Sequence, residues 1–153
     1  MKFSIIYIAT VVLINMAFTY IPPFKLYDGT IWSVGSIIAG AVFVARDYAQ
    51  REVGHYKVML LMITAGAISY VMADPFVAMA SLSAFAISEL SDYLVFTFKK
   101  GSFKQKVIWS SVVGVPIDTI VFLTIISSLS WFSFVVMCIS KMVVLSYLIW
   151  KKQ

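Results

Sequence analysis

Residues 131–150 read WFSFVVMCISKMVVLSYLIW, a run of 20 residues in which Lys141 is the one charged side chain. A helix needs about 20 apolar residues to cross the hydrocarbon core of a bilayer, which is about 30 Å thick. Runs of the same kind fill most of the chain, which is 61% hydrophobic and 12% charged. A soluble domain carries about 25% charged residues. The sequence therefore predicts an integral membrane protein.

Turn-forming and charged residues divide the apolar sequence into six segments. Pro22-Pro23, Asp74-Pro75 and Lys99-Lys100-Gly101 are the clearest of these breaks. They predict an all-α membrane protein, a bundle of six transmembrane helices in a single transmembrane domain over residues 1–153. The predicted helices cover residues 3–21, 31–50, 57–73, 76–98, 106–128 and 131–150. The first run is longer than a signal-peptide core and lacks an Ala-x-Ala cleavage site, so we expect it to be the first transmembrane helix.

The positive charges predict the orientation of the helices, because cytoplasmic loops are enriched in Lys and Arg. Lys25 falls on one side of the predicted bundle, Lys141 lies within a span, and ten positive residues fall on the opposite side. These ten are Lys2, Arg46, Arg51, Lys57, Lys99, Lys100, Lys104, Lys106, Lys151 and Lys152. We therefore expect both termini on the cytoplasmic side of a bacterial-type inner (plasma) membrane. This multi-pass topology explains the net charge of +5 without nucleic acid as a partner.

Two acids on the fourth predicted helix are the primary candidates for a binding site. Ionisable side chains within a span cost about 2.5–3.5 kcal/mol each on insertion and usually face the bundle interior. Glu89 and Asp92 share one stripe of this helix with Phe85 and Phe96, because residues three or four apart lie on the same helix face. No basic residue of another span is expected at their depth. An unpaired acidic pair is hard to explain as structure alone.

Two further predicted helices present an acid in the same way. The second helix carries Asp47 and Gln50 on the face that holds Phe43, and the fifth carries Asp118 on the face that holds Ser111. We expect these three helices to direct their acids toward a shared centre.

Several of the charges also have a structural interpretation. Asp118 and Lys141 lie near the middle of the fifth and sixth predicted helices, so we expect an ion pair there. The sequence favours neither of its two possible roles, support of the bundle and contact with substrate. Arg46 and Asp47 lie near the membrane interface, where a long side chain can reach water. His55 is expected to be a solvated residue of the loop between the second and third helices.

Three segments resemble the motifs of the queuosine-precursor transporters, also called the vitamin uptake transporter family. Residues 40–54, GAVFVARDYAQREVG, are similar to the signature "F…RD…Q/R…G". Residues 84–96, AFAISELSDYLVF, are similar to a motif in which Gln or Glu precedes Asp by three positions. Residues 110–122, SSVVGVPIDTIVF, resemble a third motif, "S-N/S…D-T/S…F". The chain departs from the family at Ser111, where Asn is common, and at Glu89, where many members have Gln.

The resemblance implies a transporter that imports a queuosine precursor for tRNA modification, a 7-deazaguanine such as 7-cyano-7-deazaguanine. A carboxylate can accept the adjacent N–H donors of a guanine-like edge, and aromatic rings can stack on its flat faces. The residues expected to bind the base are Glu89, Asp92, Asp47, Gln50, Ser111, Asp118, Phe43, Phe85, Phe96 and Trp32. The sequence does not distinguish between deazapurines or between proton-coupled and facilitated transport. It also leaves the oligomeric state open, a homo-oligomer included.

Two alternatives belong to other classes of protein. The chain could be a membrane-embedded substrate-binding subunit for a small vitamin-like molecule, which needs an energising partner complex. It could also be a structural membrane protein without a ligand, in which every acid is paired. Uptake by the chain alone in proteoliposomes distinguishes a carrier from a binding subunit. An enzyme, a cofactor or a metal site is not expected, because the sequence contains no nucleophile–base pair and no cluster of metal-ligating residues.

Overall fold

The computed structural model describes residues 2–25, 30–98 and 100–151, apart from the side chains of Phe96 and Thr97. These residues form six α-helices and one pair of short antiparallel strands. The helices are α1 (Lys2–Tyr20), α2 (Gly35–Val53), α3 (His55–Met72), α4 (Pro75–Phe98), α5 (Phe103–Ile125) and α6 (Trp131–Lys151), and the strands are β1 (Phe24–Lys25) and β2 (Ile31–Trp32). The prediction of an all-helical fold with six helices is confirmed.

The strand pair between α1 and α2 corrects the predicted start of the second helix at residue 31. Phe24 pairs with Trp32 across the strands, and their ring centroids are 5.7 Å apart. The carbonyl oxygen of Ile31 accepts a hydrogen bond from the Ser133 hydroxyl at 3.0 Å. These contacts hold residues 31 and 32 in an extended conformation, so α2 begins only at Gly35.

Local capping explains other differences at helix ends. The fifth helix begins at Phe103, before the predicted residue 106, because Ser102 and Gln105 form a capping box. The Gln105 side chain accepts from the Ser102 N–H at 3.0 Å, and the Ser102 hydroxyl accepts from the Gln105 N–H at 3.4 Å. The second helix continues past the predicted residue 50 to Val53. Gly54, with a φ of 89°, then separates it from α3.

The six helices pack in a ring in the order α1, α2, α6, α5, α4 and α3, which returns to α1. Consecutive helices are antiparallel because the connections after α2, α3, α4 and α5 are short. At one end of the bundle, which we call the basic end, α1, α3 and α5 begin and α2, α4 and α6 end. The opposite end, which we call the hairpin end, carries β1 and β2. A hydrogen bond from the Ser4 hydroxyl to Glu52, 2.8 Å long, joins α1 to α2 at the basic end.

The outer surface of the bundle is apolar. Large hydrophobic side chains are exposed on several helices, among them Ile5, Leu60, Ile63, Val71, Ile139 and Val143. Four helices, α1, α3, α5 and α6, are long and apolar enough to cross a membrane. Exposed apolar surface of this extent indicates contact with lipid or with another protein. The charged residues Arg46, Asp47, Glu89 and Asp92 are buried inside the ring on α2 and α4.

Gly40 sets the distance between α2 and α6. A Cβ at this position would overlap the carbonyl oxygen of Lys141, which is backbone and cannot move aside as a side chain can. Ser36 and Ala39, on the same part of α2, are also buried. Small residues allow helix backbones to approach closely, and this face of α2 is an example.

We expect Gly40→Ala to destabilise the protein by about 1–3 kcal/mol, because the added methyl group forces α2 and α6 apart. The matched control is Gly66→Ala, where the added Cβ meets only the flexible end of Leu82 at 3.1 Å. Thermal unfolding of the purified protein in detergent measures both variants. Equal melting temperatures for the two would show that α2 and α6 do not depend on close approach at Gly40.

Candidate functional site

Arg46 contacts three carboxylates in the interior of the bundle, and we call these four residues the Arg46 cluster. Its Nε donates a hydrogen bond to Oδ1 of Asp47 at 2.9 Å, and its Nη1 donates to Oε2 of Glu89. Its Nη2 lies 2.5 Å from Oδ2 of Asp92. Each member is at most 6% exposed. The cluster joins α2, which carries Arg46 and Asp47, to α4, which carries Glu89 and Asp92.

The prediction that Glu89 and Asp92 have no basic partner is wrong. Arg46 was expected near the interface, but α2 extends to Val53, which places Arg46 seven residues before the helix end. Asp92 lies six residues before the end of α4. At 1.5 Å per residue, both side chains start roughly 10 Å from the basic end. The two helices are antiparallel to α3 and parallel to each other, so equal distances from their ends bring the charges together.

The charges of the Arg46 cluster do not balance. One guanidinium faces three carboxylates, which leaves a formal charge of −2 when all are ionised. Oδ2 of Asp47 and Oδ1 of Asp92 accept no hydrogen bond from the residues that the structure describes. Buried carboxylates are costly unless they are paired and hydrogen-bonded. The cluster therefore has spare capacity for N–H donors, for protons or for a cation.

The fifth helix closes the cluster on another side. A Cβ at Gly114 would lie 2.5 Å from Oδ1 of Asp92, so only glycine leaves room for this carboxylate. Ser111 lies one turn earlier on the same face and is buried, and its hydroxyl has no hydrogen-bond partner within the described part of the chain. Three helices that were expected to share a centre, α2, α4 and α5, thus meet at Asp92.

The predicted ion pair between α5 and α6 is confirmed. The Nζ of Lys141 donates to Oδ2 of Asp118 at 2.7 Å and to the Thr119 hydroxyl at 2.8 Å. Lys141 and Asp118 are both buried. Here one cation faces one carboxylate, so the formal charges cancel. Asp118 therefore pairs with Lys141 and not with Arg46, so the expectation that α5 directs its acid to a centre shared with the acids of α2 and α4 is wrong.

Phe43 and Phe85 lie at the hairpin side of the cluster. Each precedes a charged residue of its helix by about one turn, and their ring centroids are 6.1 Å apart at an interplanar angle of 73°. Together with Tyr7 and Glu89 they line a cavity of about 10 Å³, which is space for a single water at most. The rings were expected to be walls on either side of a flat ligand, but in this conformation they contact each other edge to face.

The remaining predicted ligands occupy different surroundings. Trp32 lies at the hairpin end, where its Nε1 donates to the Ser140 hydroxyl at 3.0 Å, so it is not brought to the Arg46 cluster. Gln50 is half-buried, one turn beyond Arg46 toward the basic end of α2. The side chain of Phe96 lies outside the described part of the structure, although its backbone belongs to α4.

His55 is a site residue that the sequence did not predict. It is the first residue of α3, and the expectation of a solvated loop residue is wrong. Its Nδ1 lies 3.5 Å from Oε1 of Glu89, and its ring lies 4.7 Å from the ring of Tyr93. Gly54 ends α2 immediately before His55, but the contact with Glu89 depends on the packing of α3 against α4, which the local sequence does not indicate.

Comparison of the chain with protein-family models, with curated proteins and with solved structures finds no match. The buried carboxylates can accept N–H donors, and the neighbouring rings can pack on flat apolar surfaces.

We expect Arg46→Gln to destabilise the protein by about 3–5 kcal/mol, because it leaves three buried carboxylates without a cation. The matched control is Arg51→Gln, one turn along α2, where the guanidinium is exposed and lies 4.9 Å from the Phe103 ring. Thermal unfolding of both variants in detergent gives the comparison. If the melting temperatures of both variants fall by the same small amount, the Arg46 cluster does not contribute to stability.

A double-mutant cycle tests the pair between α5 and α6. Lys141→Met alone should cost about 3–5 kcal/mol, because it leaves the Asp118 carboxylate buried and unpaired. The double variant Asp118→Asn/Lys141→Met should recover most of this loss, since no buried charge remains. The free energy of unfolding of the two single variants and of the double variant completes the cycle. Additive losses would contradict a direct interaction between the two side chains.

Proposed function

We propose that this chain is a membrane carrier that imports a 7-deazaguanine base, such as 7-cyano-7-deazaguanine, across a bacterial-type inner membrane. In this proposal all six helices span the bilayer, α2 and α4 included, and the buried charged side chains of these two helices face the interior of the ring. Both termini lie in the cytoplasm. Arg46 is buried and no longer counts as a loop charge, so nine of the ten positive residues remain for the basic end. Lys25 is the positive residue of the hairpin end. This asymmetry still favours a cytoplasmic basic end.

One observation carries the proposal. The three segments that resemble the motifs of queuosine-precursor transporters are far apart in the sequence, and each supplies a residue that belongs to the Arg46 cluster or packs directly against it. Arg46 comes from the first segment, Glu89 and Asp92 from the second, and Gly114 from the third. Residues that serve one ligand must meet in space, whereas a chance resemblance in three apolar segments has no such requirement.

The chemistry of the cluster suits a guanine-like ligand. The guanidinium of Arg46 presents adjacent N–H donors in one plane, and a guanine-like edge presents the same arrangement. The base can therefore replace Arg46 on Glu89 or Asp92. Arg46 remains paired in the exchange, because its Nε already donates to Asp47 on the same helix. Ser111 and the free oxygen of Asp92 supply further polar partners.

In the proposal, the Phe43–Phe85 contact closes the site toward the hairpin end in this conformation. The hairpin end holds an apolar cavity of about 150 Å³, whose lining includes Phe18, Ser33 and Phe122. Rocking of helices around a fixed site is the common way in which carriers alternate access. We propose that separation of Phe43 from Phe85 connects this cavity to the Arg46 cluster, while the Asp118–Lys141 pair holds α5 and α6 together.

The proposal is tested by uptake of labelled 7-cyano-7-deazaguanine into cells that cannot make queuosine. The wild-type chain should restore queuosine in tRNA. Asp92→Asn should lower uptake by tenfold or more, roughly the loss of one charge-assisted hydrogen bond. The matched control is Asp74→Asn at the start of α4, where Asn also caps the helix and uptake should be unchanged.

Equal restoration by Asp92→Asn and the wild type would overturn the assignment of the Arg46 cluster as the binding site. No restoration by the wild type, at normal expression, would overturn the carrier itself. Uptake by the purified chain in proteoliposomes separates a carrier from a binding subunit that needs an energising partner, because the latter binds the base without transporting it.

A further inference from the structure

The two carboxylate oxygens of Glu89 face different spaces. Oε2 accepts from Arg46 inside the bundle, and Oε1 lies 3.5 Å from Nδ1 of His55 on α3. Beside Oε1 is a groove between the beginning of α3 and the second half of α4, which we call the α3–α4 groove. Its lining residues are His55, Tyr56, Met59, Ala86, Glu89, Leu90 and Tyr93. Glu89 thus lines both the small cavity of the Arg46 cluster and this groove.

The α3–α4 groove is large enough for a ligand, whereas the interior cavity is not. The groove encloses about 440 Å³, within the range of roughly 300–1,000 Å³ found for small-molecule pockets. The cavity beside Arg46 encloses about 10 Å³. In this conformation the groove, and not the interior cavity, has room for a planar base beside Glu89.

The walls of the α3–α4 groove carry aromatic rings beside the buried acid. Tyr56 is 84% exposed and Tyr93 is 46% exposed, so part of each ring is accessible. The His55 ring lies against Tyr93, with centroids 4.7 Å apart and an interplanar angle of 34°. The His55 ring also contacts the edge of Tyr56 at 5.9 Å. A flat heterocycle can stack on such rings while its N–H groups reach the carboxylate at the floor.

We infer that the α3–α4 groove is a second binding site for the transported base, on the cytoplasmic side of the Arg46 cluster. This inference rests on the proposed function and adds the place where the base is held before release. The ligand class is a planar heterocycle with adjacent N–H donors. Glu89 accepts those donors through Oε1, and Tyr93 stacks on the flat face. Because Glu89 serves both sites, the base passes from one to the other without losing its contact with this carboxylate.

His55 acts as a positioning residue in this site. Its ring contacts Tyr93 on α4 and Tyr56 on α3, and its Nδ1 faces Glu89. It therefore holds the two tyrosines and the acid in one arrangement. Leu90 and Met59 complete the apolar part of the lining, which favours an uncharged ring system over a hydrated cation.

The test is direct binding of 7-cyano-7-deazaguanine to the purified full chain in detergent, measured by calorimetry. Tyr93→Ala should weaken binding about tenfold, because one stacked ring is lost. Tyr93→Phe, which keeps the ring, should bind as the wild type does. The matched control is Tyr70→Ala, an exposed tyrosine near the hairpin end of α3. Each variant is first checked for an unchanged elution profile and melting temperature. Ethanolamine serves as a cation without a planar ring and should not compete.

The outcomes separate the inference from the proposed function. Wild-type binding that is unchanged in Tyr93→Ala overturns the groove site and leaves the carrier proposal standing. Absence of wild-type binding overturns both. Loss of the wild-type binding heat in the presence of ethanolamine would assign the groove to a lipid amine headgroup, and it overturns the inference as well. Weakening in Tyr93→Ala alone, with normal binding by Tyr93→Phe and Tyr70→Ala, supports it.

Discussion

The contact between Arg46 and three carboxylates constrains the whole interior of the bundle. A buried guanidinium without anions, or three buried carboxylates without a cation, would cost several kcal/mol, so α2 and α4 must meet at one depth. Gly114 on α5 then has to be glycine, because the Asp92 carboxylate occupies the space of a Cβ. The position of three helices follows from one cluster. The positions of α1, α3 and α6 have fewer constraints, because exposed apolar side chains can pack against many kinds of neighbour.

The helices were predictable because their signals are local. Apolar runs and the breaks between them predict six helices, and the pattern Ser102 to Gln105 is a recognisable capping box that would have placed the start of α5 correctly. The strand pair was not predictable in this way. Ile31 and Trp32 belong to an apolar run that is compatible with helix, and their extended conformation depends on Phe24 and on Ser133, which lies 102 positions later. Tertiary contacts of this kind leave no periodicity in the sequence.

The site was predictable in part, because the depth of a charge in the bundle depends on where its helix ends. Asp118 and Lys141 were paired correctly because both lie mid-helix, where no solvent alternative exists. Arg46 is close in sequence to the loop charges that determine orientation. Its pairing with Glu89 and Asp92 is therefore not evident from the sequence. Counting from the end of α2 at Val53 would have placed Arg46 level with Asp92. The contact of His55 with Glu89 depends on how α3 and α4 pack, and nothing in the sequence near either residue indicates it.

The Arg46 cluster and the Asp118–Lys141 pair differ in a way that bears on function. The Asp118–Lys141 pair is neutral, and Lys141 also donates to Thr119, so it has the balance expected of a structural contact. The Arg46 cluster has an excess of two carboxylates and oxygens without donors among the described residues. Such an excess costs stability wherever it is buried. The excess lies at the point where three helices meet and where Glu89 lines the α3–α4 groove. A ligand that brings N–H donors relieves that cost, which is why we place recognition at Glu89 and Asp92 and not at the neutral pair.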